Sequence, residues 1–256
     1  MEATLTEFLS TGVFAFILTF VRLGSAFMIM PGLGDSFVPE RIRLWTALSI
    51  SFVLMPITAD YLPAEMPSTF GLVVLVFLEF LIGLFFGTIA RIFMMATDTA
   101  GMVISTMSGL GSAQVFNPSL ATQGSLVGAF LSITGVTLLF TADLHHLLIA
   151  GALDSYQTFP VQEVPDLGSM AEFVAKVVSA SFAIGVKMSA PFIVLTLLMY
   201  VGMGVLSRVM PQVQVFMLAL PLQVLLSVIL MGLSLSALFA YWLSQFEQGM
   251  IFLLSP

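Results

Sequence analysis

Three ionisable residues, Arg22, Glu79 and Lys187, sit inside strongly apolar runs of this 256-residue chain, and Asp143, His145 and His146 stand together in "TADLHHLL" at 141–148. At a bilayer centre an ionised side chain costs about 2.5–3.5 kcal/mol unless it is paired or hydrated. Two chemistries follow for the first three. They could relay protons or ions, or they could pair between helices or between subunits and fix an assembly. Pairing weighs more, because the groups are few and no acidic cluster accompanies them. The histidines invite a metal-site reading. Neighbouring residues on a helix point about 100° apart, however, so one metal seldom takes both. Capping and polar contacts near a membrane edge are the expected role of Asp143 and His145, and no metal is expected.

Other reactive arrangements are missing from the sequence. With no cysteine there is no disulfide framework, thiolate ligand or cysteine nucleophile. No Walker, Rossmann or kinase-type glycine motif occurs, and no nucleophile–base constellation is evident. Catalytic residues, cofactors and nucleic-acid partners are therefore not expected, and the chain reads as non-enzymatic.

The elements that carry these residues follow from composition. A mean hydropathy of +1.11 with 8% charged residues leaves too little charge to cover a soluble globule. The chain reads as an integral membrane protein. Six apolar segments, near 5–30, 44–59, 70–95, 126–153, 177–207 and 213–246, mostly reach the ~20 residues a membrane-crossing helix needs. Only 44–59 is short. Runs such as "GLVVLVFLEFLIGLFFG" at 71–87 do not alternate as barrel strands would, so the fold class is all-α. No basic residue precedes the first apolar run and no clear cleavage site follows it, so that segment is expected to be retained.

Charge placement gives an orientation. Arg41, Arg43, Arg91 and Arg208 fall in the odd-to-even connections, which should face the cytoplasm. Asp60, Glu65, Asp154, Glu163, Asp166 and Glu172 fall in the opposite ones. Both termini are then expected on the outer, periplasmic side.

Length and small-residue spacing complicate a plain six-span bundle. From Ser169 to Leu206 the only strong breaker is Pro191, and the run from Val213 to Phe246 is nearly as long, with Pro221 early in it. The two read as a long hairpin turning at "RVMPQVQ", 208–214, with a kink expected at each proline. Gly83 with Gly87, and Gly202 with Gly204, should let neighbouring backbones approach. Between two apolar segments lies the charge-free stretch "STMSGLGSAQVFNPSLATQG" at 105–124. Gly109 and Gly111 permit tight backbone paths, Met107, Leu110, Val115 and Phe116 can fill a lumen, and Asn117-Pro118 favours a turn. From the residues alone, an interior loop lining a cavity and an ordinary connection stand level.

The runs "RLGSAFMIMPGLGDSFVPERIRLWTALSISF" (22–52), "DLHHLLIAGALDSYQTFP" (143–160) and "SAPFIVLTLLMYVGMGVLSRVMPQVQVFMLALPLQ" (189–223) resemble the FliR family of type III secretion export-gate proteins. The resemblance covers nearly the whole chain, and the 143–160 run favours the flagellar branch over the virulence one. It implies a subunit that joins FliP and FliQ in a closed, cone-like channel for unfolded flagellar polypeptides in the bacterial inner membrane. It also implies a FliP-like portion at 1–165, a FliQ-like hairpin at 166–256 and a pore plug in the 105–124 loop. On that mapping the turn at Arg208, Pro211, Gln212 and Gln214 faces FlhB. A secondary transporter built around Arg22, Glu79 and Lys187 would need inverted repeats with paired broken helices, and none is visible.

Overall fold

The computed structural model describes residues 2–63, 67–111, 125–161, 163–210 and 215–254, with side chains described from residue 12 to residue 252 of these ranges except 215–218. Among them the fold is all-α. Seven helices follow one another: α1 (Glu2–Ile29), α2 (Glu40–Thr58), α3 (Thr69–Met107), α4 (Leu126–Thr141), α5 (Leu144–Thr158), α6 (Leu167–Val209) and α7 (Val215–Leu254). A short 3-10 turn, Ala59–Tyr61, follows α2. Five helices are long and apolar enough to cross a membrane, or six spans result if α4 and α5, bent by 77° at their junction, count as one.

Helix starts follow local chemistry. The Ser68 hydroxyl accepts the Gly71 amide at 3.3 Å, and the Ser125 hydroxyl accepts the Gly128 amide at 2.7 Å, so α3 and α4 open on side-chain caps. Asp166 does the same for α6: Gly168 N donates to Oδ1 at 3.0 Å, and the Ser169 hydroxyl donates to Oδ2 at 2.6 Å. The Ser169 hydroxyl, then the Gly168 and Ser169 amides, hold the Asp166 carboxyl below its ordinary value. Before α2 there is no side-chain cap. Pro39 stands there in extended backbone, and Glu40 places an acid in the first turn, where the helix dipole favours it.

Several boundaries differ from those read in the sequence. The second apolar segment is not short, because α2 opens at Glu40 and includes Arg41 and Arg43, whose charge hid the first turn from hydropathy. The third continues to Met107, a helix of 39 residues or about 58 Å. Its threonines satisfy their hydroxyls within the helix: Thr99 donates to Met95 O at 3.0 Å and Thr106 to Met102 O at 2.9 Å. The fourth is two helices rather than one. Helices α6 and α7 remain helical through Pro191 and Pro221.

The chain divides into two compact units. The first comprises residues 1–93, 139–177 and 248–256. In it α1 packs along α2 and also touches α5, and the Thr19 and Thr58 hydroxyls share a hydrogen bond of 2.7 Å. Phe14, Leu18, Tyr156 and Val161 form a buried cluster there, covered by Leu62, Leu72, Leu75 and Val76. The second unit comprises residues 94–138 and 178–247. It is held by close backbone approach: a Cβ on Gly101 of α3 would strike the backbone of Gly128 in α4, and one on Gly185 of α6 would lie 2.9 Å from Ala96 O of α3. The rings of Trp242 and Phe246 pack at 5.4 Å, with Trp242 1% exposed.

Candidate functional site

In the first unit, Glu79, Gly83 and Gly87 repeat every four residues along α3 and so lie on one face. Gly83 faces the α1 backbone so closely that a Cβ would strike the Arg22 carbonyl and the Ser25 hydroxyl, and one on Gly87 would lie 2.6 Å from Ala26 O. This approach brings Arg22 of α1 onto Glu79. The guanidinium binds the carboxylate through two contacts, Nε to Oε2 at 2.6 Å and Nη2 to Oε1 at 2.8 Å. Two-point geometry of this kind makes the strongest charged hydrogen bonds.

The remaining donors of Arg22 are used as well. Nη1 donates to Ser155 O at 3.1 Å, Nη2 donates to Phe159 O at 3.0 Å, and the Tyr156 ring lies 3.9 Å from the guanidinium carbon. Arg22 is 1% exposed and Glu79 0%. The arrangement is therefore a closed knot of α1, α3 and the end of α5, with both charges occupied inside protein. A second pair links Arg91 to Asp35, whose other oxygen accepts the Gly32 amide at 2.7 Å. Gly32 takes φ +87°, which a side chain would strain.

The other ionisable candidates are not drawn into such a knot. Lys187 is exposed on α6 and has no ion pair among the described residues. Asp143 adopts φ 58° and turns the chain from α4 into α5. That turn brings the adjacent rings of His145 and His146 to 4.0 Å between centroids, tilted by 37°, and places His146 Nδ1 3.7 Å from Asp143 Oδ1. Ligand atoms of the three residues lie within 4.8 Å of one another. Two ligands on one zinc ion stand no more than about 4.2 Å apart, so the side chains would have to close before sharing one.

In the second unit a Cβ added at Gly202 or Gly204 would meet nothing within 4 Å outside its own stretch of helix, so the close approach read from their spacing does not occur among the described residues. The end of α3 is the better-defined site. Of the stretch 105–124, residues 105–111 are described, while Val115, Phe116, Asn117 and Pro118 lie outside the described residues. Ser108 N donates to Ile104 O at 2.8 Å, its hydroxyl donates to Ser105 O at 3.1 Å, and Gly111 N donates to Ser105 O at 2.9 Å. Gly109 follows in the left-handed region at φ +79°, a common way for a helix to stop. Met107 and Leu110 are half-buried, and Ser105 and Ser108 are buried.

The Met107 carbonyl, the last of the helix, accepts two side-chain donors from other helices. Thr196 Oγ1 of α6 donates at 2.8 Å, and Gln223 Nε2 of α7 also donates to it. Neither Thr196 nor Gln223 stood out in the sequence, since a threonine or glutamine within a long apolar helix has no local mark of its partner. At the far end of α6 Arg208 is exposed, and Pro211, Gln212 and Gln214 lie outside the described residues.

Comparison with known proteins bears on the whole length. The family of bacterial export proteins, family 1, matches residues 13–249. The flagellar biosynthetic protein FliR of Caulobacter vibrioides is 39% identical, over 92% of this chain and 94% of its own. The Bacillus subtilis protein of the same name is 32% identical over 88% and 87%. The Yop proteins translocation protein T of Yersinia pestis is 25% identical over 86% and 85%. Membrane-length helices, an all-α fold and a match from the first described side chains to the last turns of α7 converge, and the chain belongs to the bacterial export proteins, family 1, as a FliR-type membrane component of the flagellar export apparatus.

Proposed function

We propose that the chain is a non-enzymatic core subunit of the flagellar type III export gate in the bacterial inner membrane, building with FliP and FliQ the channel for unfolded flagellar proteins. The observation that carries this reading is the full-length likeness to flagellar relatives, with 39% identity over 92% of the chain. The helices support it. At 43 and 40 residues, α6 and α7 are about 65 and 60 Å long, twice the hydrocarbon thickness, and much of their apolar surface is uncovered by the chain itself. FliP-like and FliQ-like partners would cover it, with 1–165 matching the former and 166–256 the latter. The exposed Arg208 at the α6–α7 turn then faces the cytoplasm and FlhB, and both termini face the periplasm.

A gate for unfolded chains must leak neither ions nor protons at rest, and an apolar, uncharged constriction closes by excluding water. The segment 105–124 has that composition, and it leaves α3 through a glycine-bearing turn. In the proposed function it is the plug. Deleting residues 109–117 should raise ion leakage through the complex assembled with its partners while sparing much of the assembly. Unchanged conductance would refute the plug. The match to a Yersinia translocation protein favours a virulence secretion gate as the second reading, and export of flagellin by the cell of origin distinguishes the two.

A further inference from the structure

We infer that Thr196 and Gln223 are positioning residues of the gate: together they latch the Met107 carbonyl and so set where, and in which direction, the chain leaves α3. The inference rests on the plug reading for its functional consequence, but not for its geometry.

The carbonyls of a helix C-terminus lack partners within the helix, and water or a local turn usually serves them. Here the donors come from far along the chain, 89 residues away for Thr196 and 116 for Gln223, and from two different helices. Both side chains are buried, at 2% and 5% exposure. A carbonyl oxygen has two acceptor positions, and the pair fills both. Packing alone does not call for these residue types, since valine and methionine would fill the same volumes.

Local bonds shape the turn that follows. The Ser108 hydroxyl bonds back to Ser105 O, and Gly109 reverses the backbone in the left-handed region. A Cβ on Gly109 would meet nothing nearer than 3.9 Å, from the Gln223, Leu220 and Val224 side chains, so it is dihedral angle rather than crowding that calls for glycine. The latch is polar and small. Each hydrogen bond of this kind shifts a held-versus-released equilibrium by about 2- to 13-fold, and the two together by about 5- to 150-fold. That range favours one exit from α3 at rest and still leaves it reversible.

The absence of cysteine from the chain makes the test direct, because Leu110→Cys is then the one label site on this chain, which is resolved from its partners on a denaturing gel after labelling. In the complex assembled with its partners, labelling of Leu110→Cys by a membrane-impermeant maleimide should rise about 2- to 13-fold with Thr196→Val or Gln223→Met and further with both. Thr196→Ser, which keeps the hydroxyl, should label at the parental rate. Ion leakage in the same complexes without the reporter should rise in the same order. Equal labelling of Thr196→Val and Thr196→Ser would overturn the latch, as would loss of assembly in both single variants, which would make the pair structural. If labelling rises as expected but neither these variants nor the 109–117 deletion leak, the latch stands and the plug reading falls.

Discussion

Replacing Arg22 and Glu79 singly and together tests the buried knot most sharply. Glu79→Leu leaves a guanidinium at 1% exposure with two carbonyls and one ring but no counter-charge. Removing one partner of a buried pair costs about 3–5 kcal/mol. Arg22→Met strands the carboxylate at a similar cost and also takes the donor from Phe159 O, about 1–3 kcal/mol more. Ser155 O is spared, because the Phe159 amide also donates to it at 2.9 Å. In the double variant no charge remains, and the cost falls to about that of the orphaned Phe159 carbonyl. Adding Glu79→Leu to Arg22→Met should therefore restore at least about 3 kcal/mol rather than remove more. For a chain of this size each kcal/mol moves the melting point by about 2–4 °C. Heating detergent-solubilised complexes and following the fraction that stays monodisperse reads this as a double variant about 6 °C or more above Arg22→Met alone. A double variant that melts at or below Arg22→Met would refute the coupling and reopen an independent role for each charge.

Two further outcomes follow from local geometry. Gly101→Leu should separate α3 from α4 and cost about 1–3 kcal/mol or more by overpacking, read as lower yield of the complex, whereas Gly202→Leu, facing open space in the chain, should act only where a partner subunit touches it. Asp166 is held below its ordinary carboxylate value of 3.8, so its cap on α6 stabilises fully above that pH and fades as pH falls through the lower, folded value. Protection of the Gly168 and Ser169 amides, taken relative to the intrinsic exchange rate at each pH, should fall on acidification in the parent chain, and Asp166→Ala should lack that protection at every pH.

Hydropathy located most of the helices because lipid imposes its demand residue by residue. It misplaced their ends for the same reason. Thr97, Asp98 and Thr99 lower the local average, yet α3 continues past them, since two of the three hydroxyl or carboxyl side chains are threonines that bond to the preceding turn. Arg41 and Arg43 likewise concealed the first turn of α2. The bend at Asp143 depends on one residue taking a positive φ, which nothing in "TADLHH" dictates beyond the tolerance of aspartate for that region. Arg22 and Glu79 could be singled out individually as ionisable groups in apolar runs. Their contact joins positions 57 apart and follows from Gly83 facing α1, which is a fact of packing. The Met107 latch was less legible still, because its donors are ordinary helix residues until three helices meet.

The great length of α3, α6 and α7 bears on supply as well as on architecture. A bilayer shields about 30 Å of helix, and even a 40° tilt raises that only to about 39 Å, so roughly 20 Å or more of each extends beyond the hydrocarbon, to be sheltered by other protein in the proposed gate. A newly inserted copy without that shelter presents sticky surface such as Val201, Val205, Leu206 and Leu233. Its survival in the cell then depends on how promptly companions reach it. In the proposed gate the chain's abundance is thereby tied to theirs, and surplus copies are expected to become substrates for membrane quality control rather than a reserve.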